Sequence, residues 1–257
     1  MIFDTHAHYD DEAFDSDRDE LLASMPAKGI GRIVNVTASY RSLVQSPELA
    51  DRYDHVYTSM GLHPTEVYEL DMDDALSVVR DRCRRPKVVA IGEIGLDYHY
   101  DDTDEKKQRA YFDAQLEIAL QENLPVIIHS RDAAAETFDV MKDYAAKGGR
   151  GVIHCYSYTK EFAREFLNLD YYIGIGGVLT FSNAKKLKEA AEYIPMDHIV
   201  LETDSPYLAP VPNRGKRNSS LNLPYVVQAL AEIKGMTAQE IENITWNNAM
   251  RLYRMNR

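Results

Sequence analysis

Short apolar runs recur along the chain, and each is followed by a longer stretch in which apolar residues return at helical spacing. This alternation is typical of parallel α/β proteins, in which each strand is followed by a helix that covers it. The clearest helical stretches are residues 104–122, 182–193 and 238–253. Eight runs are predicted to be strands: residues 2–6, 32–36, 56–62, 88–94, 126–129, 151–154, 171–175 and 199–204.

Eight strands with intervening helices favour a closed (β/α)8 TIM barrel over an open, doubly wound sheet. The chain has 257 residues, which suits one such barrel, so we expect a single domain over residues 1–257. Residues 205–224 are rich in turn-forming residues and are predicted to form one long loop after the eighth strand. Loops at that end of a barrel often carry binding residues.

Composition excludes several classes of protein. Hydrophobic residues make up 45% of the chain, which is enough to build a large core without disulfides. The two cysteines, Cys83 and Cys155, lie far apart and form no C-x-x-C motif, which is consistent with a reducing cytosol. The start of the chain does not resemble a signal peptide, and no apolar run approaches membrane-spanning length. We therefore predict a cytoplasmic protein with no membrane association and no evident obligate protein partner.

The formal net charge of −12 means that the surface as a whole should repel polyanions. This argues against a protein that coats duplex DNA. An enzyme that meets phosphates through bound metal ions is less affected, because the ions would be the largest local positive charges.

Ionisable residues cap five of the predicted strands at their carboxyl ends. His6 and His8 are two residues apart at the end of the first run, so their rings project to the same face of the strand. Alone, such a pair would more often be bonded to the backbone than to a metal. In a barrel, however, all these strand ends meet at one mouth, and a shared cation would offset the cost of burying them. The remaining capping residues are Glu93, His129, His154 and Asp204.

These residues lie in motifs that identify a family. The order of motifs resembles the TatD-like metal-dependent deoxyribonucleases, which belong to the amidohydrolase-type barrels, and the resemblance covers nearly the whole chain. The motifs are His6-Ala7-His8, Gly92-Glu93-Ile94-Gly95-Leu96-Asp97, Ile128-His129-Ser130-Arg131, His154-Cys155-Tyr156-Ser157 and Glu202-Thr203-Asp204-Ser205-Pro206-Tyr207-Leu208-Ala209-Pro210.

The resemblance implies two divalent cations, bridged by Glu93. One ion would bind His6, His8, Glu93 and Asp204, and the other would bind Glu93, His129 and His154. Four imidazoles suit zinc, manganese or cobalt, whereas the family is often described as magnesium-dependent, so the element stays open among these four. Besides Glu93, Asp204 is the predicted catalytic residue, as the acceptor of a proton from water; pure metal ligation by Asp204 is the alternative.

Further residues have expected roles around this centre. Asp4 and Glu202 lie two residues before His6 and Asp204, on the same strand faces, and would either orient ligands or form ordinary buried ion pairs. His63 and Arg131 are candidates for contact with substrate phosphate, and the resemblance supports His63.

Three other positions are considered for roles other than metal binding. Lys216 and Arg217 would either supply positive charge near the substrate or form a solvated basic turn. Cys155 is expected to point to the opposite face of the strand from His154, which argues against a Cys–His nucleophile.

The resemblance implies a deoxyribonuclease, acting 3′-to-5′ on single-stranded DNA ends. The alternative enzyme is a hydrolase of small esters, lactones or amides on the same two-metal site, favoured by the net charge. Tyr158 and Ser219-Ser220 depart from the family pattern, at positions expected to shape the substrate site. A metal-binding or scaffolding protein without turnover is less favoured, because all six candidate ligands are present.

Overall fold

The computed structural model describes residues 1–255, and these form one parallel eight-stranded sheet in which the strands follow one another in chain order. The strands are β1 (Ile2–Ala7), β2 (Ile30–Asn35), β3 (Val56–Met60), β4 (Val88–Asp97), β5 (Val126–Arg131), β6 (Gly151–Ile153), β7 (Tyr172–Ile175) and β8 (Ile199–Leu201). The helices of this part of the chain are α1 (Arg18–Ser24), α2 (Ser42–Arg52), α3 (Met72–Arg82), α4 (Glu105–Glu122), α5 (Ala134–Ala146), α6 (Lys160–Asn168), α7 (Lys185–Tyr193), α8 (Leu223–Lys234) and α9 (Ala238–Leu252).

The sheet closes into a barrel where β1 meets the segment that follows β8. Ala7 forms a parallel bridge with Ser205, and the His8 N–H donates to the Ser205 carbonyl at 2.7 Å. The Asp204 N–H donates to the His6 carbonyl at 2.9 Å. The predicted (β/α)8 barrel is therefore confirmed, and its closure lies directly beside three of the candidate site residues.

Local sequence explains the best-formed elements. Every position of β4 is buried, as its nearly continuous apolar sequence predicts for a strand covered on both faces. The side chain of Asp104 accepts a hydrogen bond from Lys107 N and begins α4, which ends at Asn123 with a φ of 54°. Helix α9 begins with a capping box, in which Thr237 and Glu240 each bond the other's backbone N–H.

Strands β6 and β8 are shorter than predicted because the backbone leaves the sheet early. Strand β6 ends at Ile153 and β8 ends at Leu201, whereas the apolar runs predicted ends at His154 and Asp204. Cys155 and Asp204 adopt φ values of 45° and 57°, in the left-handed region that breaks a strand. Both site residues at these strand ends are therefore presented from turns, not from strand positions.

An apolar layer supports the barrel mouth from below. The side chains two positions before His129 and His154 belong to a buried cluster that also includes residues of α9, such as Ala249 and Leu252. Members of the cluster contributed by the strands include Phe3, Val34, Val89, Ile127, Val152 and Val200.

Among residues 1–255, no helix is both long and apolar enough to cross a membrane.

Candidate metal centre

The six residues predicted from the strand ends come together at the barrel mouth. They line or lie beside a pocket of about 1070 Å³. Strands β1, β4 and β5 supply three of them directly, and the turns after β1, β6 and β8 supply the others. All six are buried or partly buried, as groups that share a cation should be. They are His6, His8, Glu93, His129, His154 and Asp204.

Glu93 lies at the centre, and its two oxygens face different histidines. Oε2 is 3.3 Å from Nε2 of His6 and 3.7 Å from Nε2 of His8. Oε1 is 2.8 Å from Nδ1 of His129 and 3.7 Å from Nε2 of His154. One carboxylate therefore stands between two pairs of imidazole nitrogens.

Asp204 approaches the same cluster from the turn after β8. Its Oδ1 is 3.4 Å from Nε2 of His8, 3.7 Å from Nε2 of His154 and 3.8 Å from Nε2 of His6. The rings of His6 and His154 stack, with their centroids 3.4 Å apart. Asp204 faces the pocket and is the more exposed of the two central carboxylates. Of its side chain 19% is accessible, against 4% for Glu93.

The outer nitrogens of three rings are held by groups that only accept hydrogen bonds. His8 Nδ1 donates to the Val36 carbonyl at 2.9 Å, and His129 Nε2 donates to Asp97 Oδ2 at 3.0 Å. His154 Nδ1 donates to Glu202 Oε2 at 3.1 Å. In a neutral ring the inner nitrogen then carries a lone pair that faces the cluster.

Lone pairs and carboxylate oxygens therefore converge with too few hydrogens between them. His6 Nε2 and His8 Nε2 are 3.1 Å apart, and Glu93 Oε2 lies next to both. Such a donor set suits divalent cations, which replace protons as the shared positive charge. Described residues that could hold an ion include the sets His6, His8, Glu93 and Glu93, His129, His154.

The pKa shifts show how strongly the cluster attracts positive charge. Burial opposes charge on His8, but the carboxylates of Asp204 and Glu93 outweigh it and raise the pKa of His8 to about 9. Burial likewise opposes charge on His154, yet Glu202 and Glu93 raise its pKa to about 10. Burial alone would raise the pKa of Glu93, but the surrounding histidines hold it well below its usual value. Protons and metal ions therefore compete for the same atoms.

Asp97 lies beside this cluster, although no role was predicted for it from the sequence. It ends β4, four residues after Glu93, and accepts the hydrogen bond from His129. Gln108 of α4 holds this end of β4, since its Oε1 accepts from Asp97 N at 2.8 Å and its Nε2 donates to Asp97 O at 3.0 Å. Asp97 thereby fixes which nitrogen of His129 faces Glu93.

Glu202 is placed to orient a histidine across the barrel, not the aspartate on its own segment. Besides His154, its carboxylate accepts from Cys155 N at 2.6 Å. The side chain fits because β7 has a glycine here: a Cβ on Gly174 would lie 2.3 Å from Glu202 Oε2. Because Gly174 has no side chain, the Glu202 carboxylate can pack directly against the backbone of β7.

Asp4 is buried beneath the site but contacts no imidazole. Its oxygens accept from Thr203 Oγ1 at 2.7 Å, Ser220 Oγ at 2.6 Å and the backbone N–H of His6 at 3.3 Å. Burial raises the pKa of Asp4 to about 7. Asp4 therefore joins β1 to the segment after β8, and Ser220, one of the departures from the family pattern, takes part in that connection.

The two predicted phosphate-contact residues lie at different depths. His63 Nε2 is 3.6 Å from Glu93 Oε1, and its ring meets that of His129 edge to face. Burial and the neighbouring His129 lower the pKa of His63 to about 3, so this ring is neutral. Arg131 lies at the exposed rim of the pocket, with its guanidinium 5.9 Å from the ring centroid of Tyr100.

One interpretation made from the sequence is corrected. Cys155 was expected to face away from His154, but its left-handed backbone turns it into the pocket, with Sγ grouped with His154 and Asp204. Burial raises the pKa of this thiol well above its usual value, which still argues against a thiolate nucleophile. Arg217 lies outside the pocket lining and forms an ion pair with Asp17 at 2.6 Å.

The other departure from the family pattern also lies near the pocket. The Tyr158 hydroxyl is 2.9 Å from Ser130 Oγ, so this side chain packs behind β5.

Lys216, like Arg217, is absent from the residues that line the pocket. The basic turn after β8 therefore supplies no positive charge to the pocket lining.

Comparison with known proteins places the geometry in a family. The model of the family described as TatD related DNase matches residues 3–254. The metal-dependent hydrolase YabD of Bacillus subtilis is 40% identical over 256 residues, which cover 100% of both chains. The metal-dependent hydrolase TatD of Mycobacterium tuberculosis is 32% identical, over 98% of this chain and 97% of its own.

Solved structures agree. The crystal structure of the TatD homologue YjjV from Escherichia coli superposes with a TM-score of 0.93 at 30% identity, over 98% of each chain. A TatD family hydrolase of Entamoeba histolytica shares the fold, with a TM-score of 0.85 at 23% identity. From its motifs, its barrel and these relatives, the chain belongs to the TatD family of metal-dependent hydrolases.

Proposed function

We propose that the protein hydrolyses phosphodiester bonds with two divalent cations, as a deoxyribonuclease that shortens single-stranded DNA from the 3′ end. The observation that carries the proposal is that the two oxygens of Glu93 face different histidines. Oε2 faces His6 and His8, and Oε1 faces His129. A bridging carboxylate between two imidazole pairs fits two ions better than one.

Each residue then has a distinct task. His6, His8 and Asp204 would hold one cation, His129 and His154 would hold the other, and Glu93 would hold both. Such a pair of cations would polarise a phosphodiester and lower the pKa of a bound water.

Asp204 is the proposed acceptor of the proton from the attacking water. It is the more exposed of the two central carboxylates and faces the pocket. Burial alone would raise its pKa, but His8 and the neighbouring rings lower it, so the carboxylate is ionised and can accept a proton at neutral pH. The neutral His63 ring lies beside Glu93, where its nitrogen can contact a phosphate oxygen.

DNA as the substrate is supported by the family and by the pocket. The matching family is described by its deoxyribonuclease activity. The pocket of about 1070 Å³ is at the upper end of the usual range for small-molecule sites, and arginines lie on its rim. The 3′-to-5′ direction rests on the resemblance of the motifs.

The first test measures bound metal. Elemental analysis of purified protein should find about two divalent ions per chain, with zinc, manganese, cobalt and magnesium measured separately. Glu93→Gln should lower the metal content and reduce activity at least about 100-fold, since it weakens both sites. Asp170→Asn is the control, because Asp170 bonds His198 on the exposed surface and not at the pocket.

The second test identifies the substrate. Single-stranded oligonucleotides labelled at the 5′ end should give a ladder of shortened products that EDTA abolishes, while a 3′ label should be released as a mononucleotide. Protein with its full metal content that leaves DNA intact but cleaves lactones, esters or amides would instead establish the rival hydrolase activity.

A further inference from the structure

One side of the barrel mouth carries an exposed aromatic ring beside an arginine with no carboxylate partner. Four arginines line the pocket: Arg18, Arg41, Arg52 and Arg131. Arg18 and Arg52 form ion pairs with aspartates, at 2.5 Å and 3.1 Å. Within residues 1–255, neither Arg41 nor Arg131 makes an ion pair with a carboxylate within 4.0 Å, and Arg131 is the one of the two whose guanidinium lies beside an aromatic ring, so its charge is available to a ligand next to that ring.

Tyr100 lies next to Arg131 on the segment between β4 and α4. Its side chain is 53% exposed although the residue lines the pocket, so a large ring faces solvent at the entrance. The backbone around it is held in place: Tyr98 N donates to Arg131 O at 2.9 Å, and Thr103 Oγ1 donates to Tyr100 O at 2.7 Å. The ring is thus presented between two neighbours: the Arg131 guanidinium, 5.9 Å from its centroid, and the His99 ring, which meets it edge to face at 5.2 Å.

We propose that Tyr100 and Arg131 form a nucleotide subsite, in which a base of the substrate strand stacks on Tyr100 and Arg131 binds an adjacent phosphate. The proposal rests on the proposed function and names the part of the substrate that the rim recognises. Arg131 is two residues past His129 on β5, so the subsite lies close to the cluster around Glu93. Exposed aromatic rings beside cationic groups are how many proteins bind single strands without sequence preference.

The subsite explains how an acidic chain would select unpaired DNA. Stacking requires an open face of the base, which a paired and stacked duplex base does not offer. The positive charge that binds the phosphate is local, on Arg131. A short strand end can therefore bind there without a long strand having to approach the acidic surface, whose chain carries a net charge of −12. The preferred substrate is therefore a frayed or single-stranded end.

The test compares Tyr100→Leu with Tyr100→Phe on two single-stranded oligonucleotides. One carries ordinary bases throughout, and the other has base-free sugars in its last three positions. The native protein and Tyr100→Phe should both show a KM about tenfold lower for the strand with bases, at similar kcat. Tyr100→Leu should lose this preference. Tyr193→Leu is the matched control, since Tyr193 is also exposed but lies outside the pocket lining.

A binding measurement provides a readout that does not depend on turnover. An oligonucleotide with 2-aminopurine at its 3′ end is titrated with the inactive Asp204→Asn protein, and stacking should quench its fluorescence. Introducing Tyr100→Leu into the Asp204→Asn protein should abolish the quenching, whereas introducing Tyr100→Phe into it should leave the quenching intact. In the native background, Arg131→Gln should reduce the slope of log KM against log salt by about 0.7, the value expected for one phosphate contact on a single strand.

The outcomes separate this proposal from the proposed function. If the native protein hydrolyses DNA and the Leu and Phe variants at position 100 behave alike on both oligonucleotides, the subsite is overturned while the nuclease stands. If the native protein with its full metal content neither binds nor hydrolyses DNA, the proposed function itself fails.

Discussion

Asp97→Asn tests the proposed second cation site without changing a proposed ligand. Asp97 Oδ2 accepts a hydrogen bond from His129 Nε2 at 3.0 Å. A hydrogen bond to a charged group contributes about 1.5–3 kcal/mol and a neutral one about 0.5–1.5 kcal/mol, so the amide should cost about 1–1.5 kcal/mol. This corresponds to roughly tenfold weaker binding of the cation held by His129. Asp97→Ala leaves the ring N–H without an acceptor and should cost up to about 100-fold.

The assay is competitive metal titration against a chromogenic chelator, with both binding steps fitted. Only one of the two resolved constants should change, because Asp97 bonds His129, a proposed ligand of one cation alone. Asp170→Asn is again the control, since it removes the same kind of Asp–His bond, of 3.1 Å, from the surface. The Asn variants should have similar circular dichroism spectra.

Two results would refute this reasoning. If Asp97→Asn bound both cations within twofold of the native protein, Asp97 would not control the orientation of His129. If the control weakened metal binding equally, the effect would be a general loss of charge and not the loss of a specific hydrogen bond.

Three further changes have defined outcomes. EDTA should lower Tm by several degrees and added metal should restore it, because ions that bind only the folded state stabilise it; an unchanged Tm would contradict a bound cation. Gly174→Ala should lower both Tm and metal content, since the added Cβ would lie 2.3 Å from Glu202 Oε2; a normal metal content would contradict this. Arg217 lowers the pKa of Asp17 below 3.8, so the pair stabilises the fold above that pH and loses its effect as pH falls through the lower folded-state value. Urea unfolding of Asp17→Asn should therefore show a loss of no more than about 1 kcal/mol at about pH 7 and none near pH 2; an equal loss at both would contradict the linkage.

The strand-end residues were predictable because a strand has a period of two and a parallel barrel brings its carboxyl ends together. The spacing of His6 and His8 predicted that both rings face one side, and the place of Glu93 and His129 at the ends of apolar runs predicted that they meet this pair at the barrel mouth. These are local properties of the chain, and the structure brings the side chains to within hydrogen-bonding range of one another.

The partners of these residues were decided by the tertiary structure. Strand spacing related Glu202 to Asp204, yet Glu202 reaches His154 across β7, through the space left at Gly174. The same spacing placed Asp4 next to His6, and besides the His6 backbone N–H its hydrogen-bond partners are the remote residues Ser220 and Thr203. Contacts of this kind depend on the register and curvature of neighbouring strands, which no pattern within one strand contains.

Backbone conformation decided the rest. Cys155 and Asp204 follow short strands and turn at positive φ, so the alternation rule fails at both residues and the thiol enters the pocket. Apolar periodicity and motif order are properties of the chain, so the barrel, the family and the residues at the barrel mouth could be predicted without coordinates. Which atom of each residue faces which neighbour was determined only when eight strands closed into one sheet, since closure sets the distances between residues that are remote in sequence.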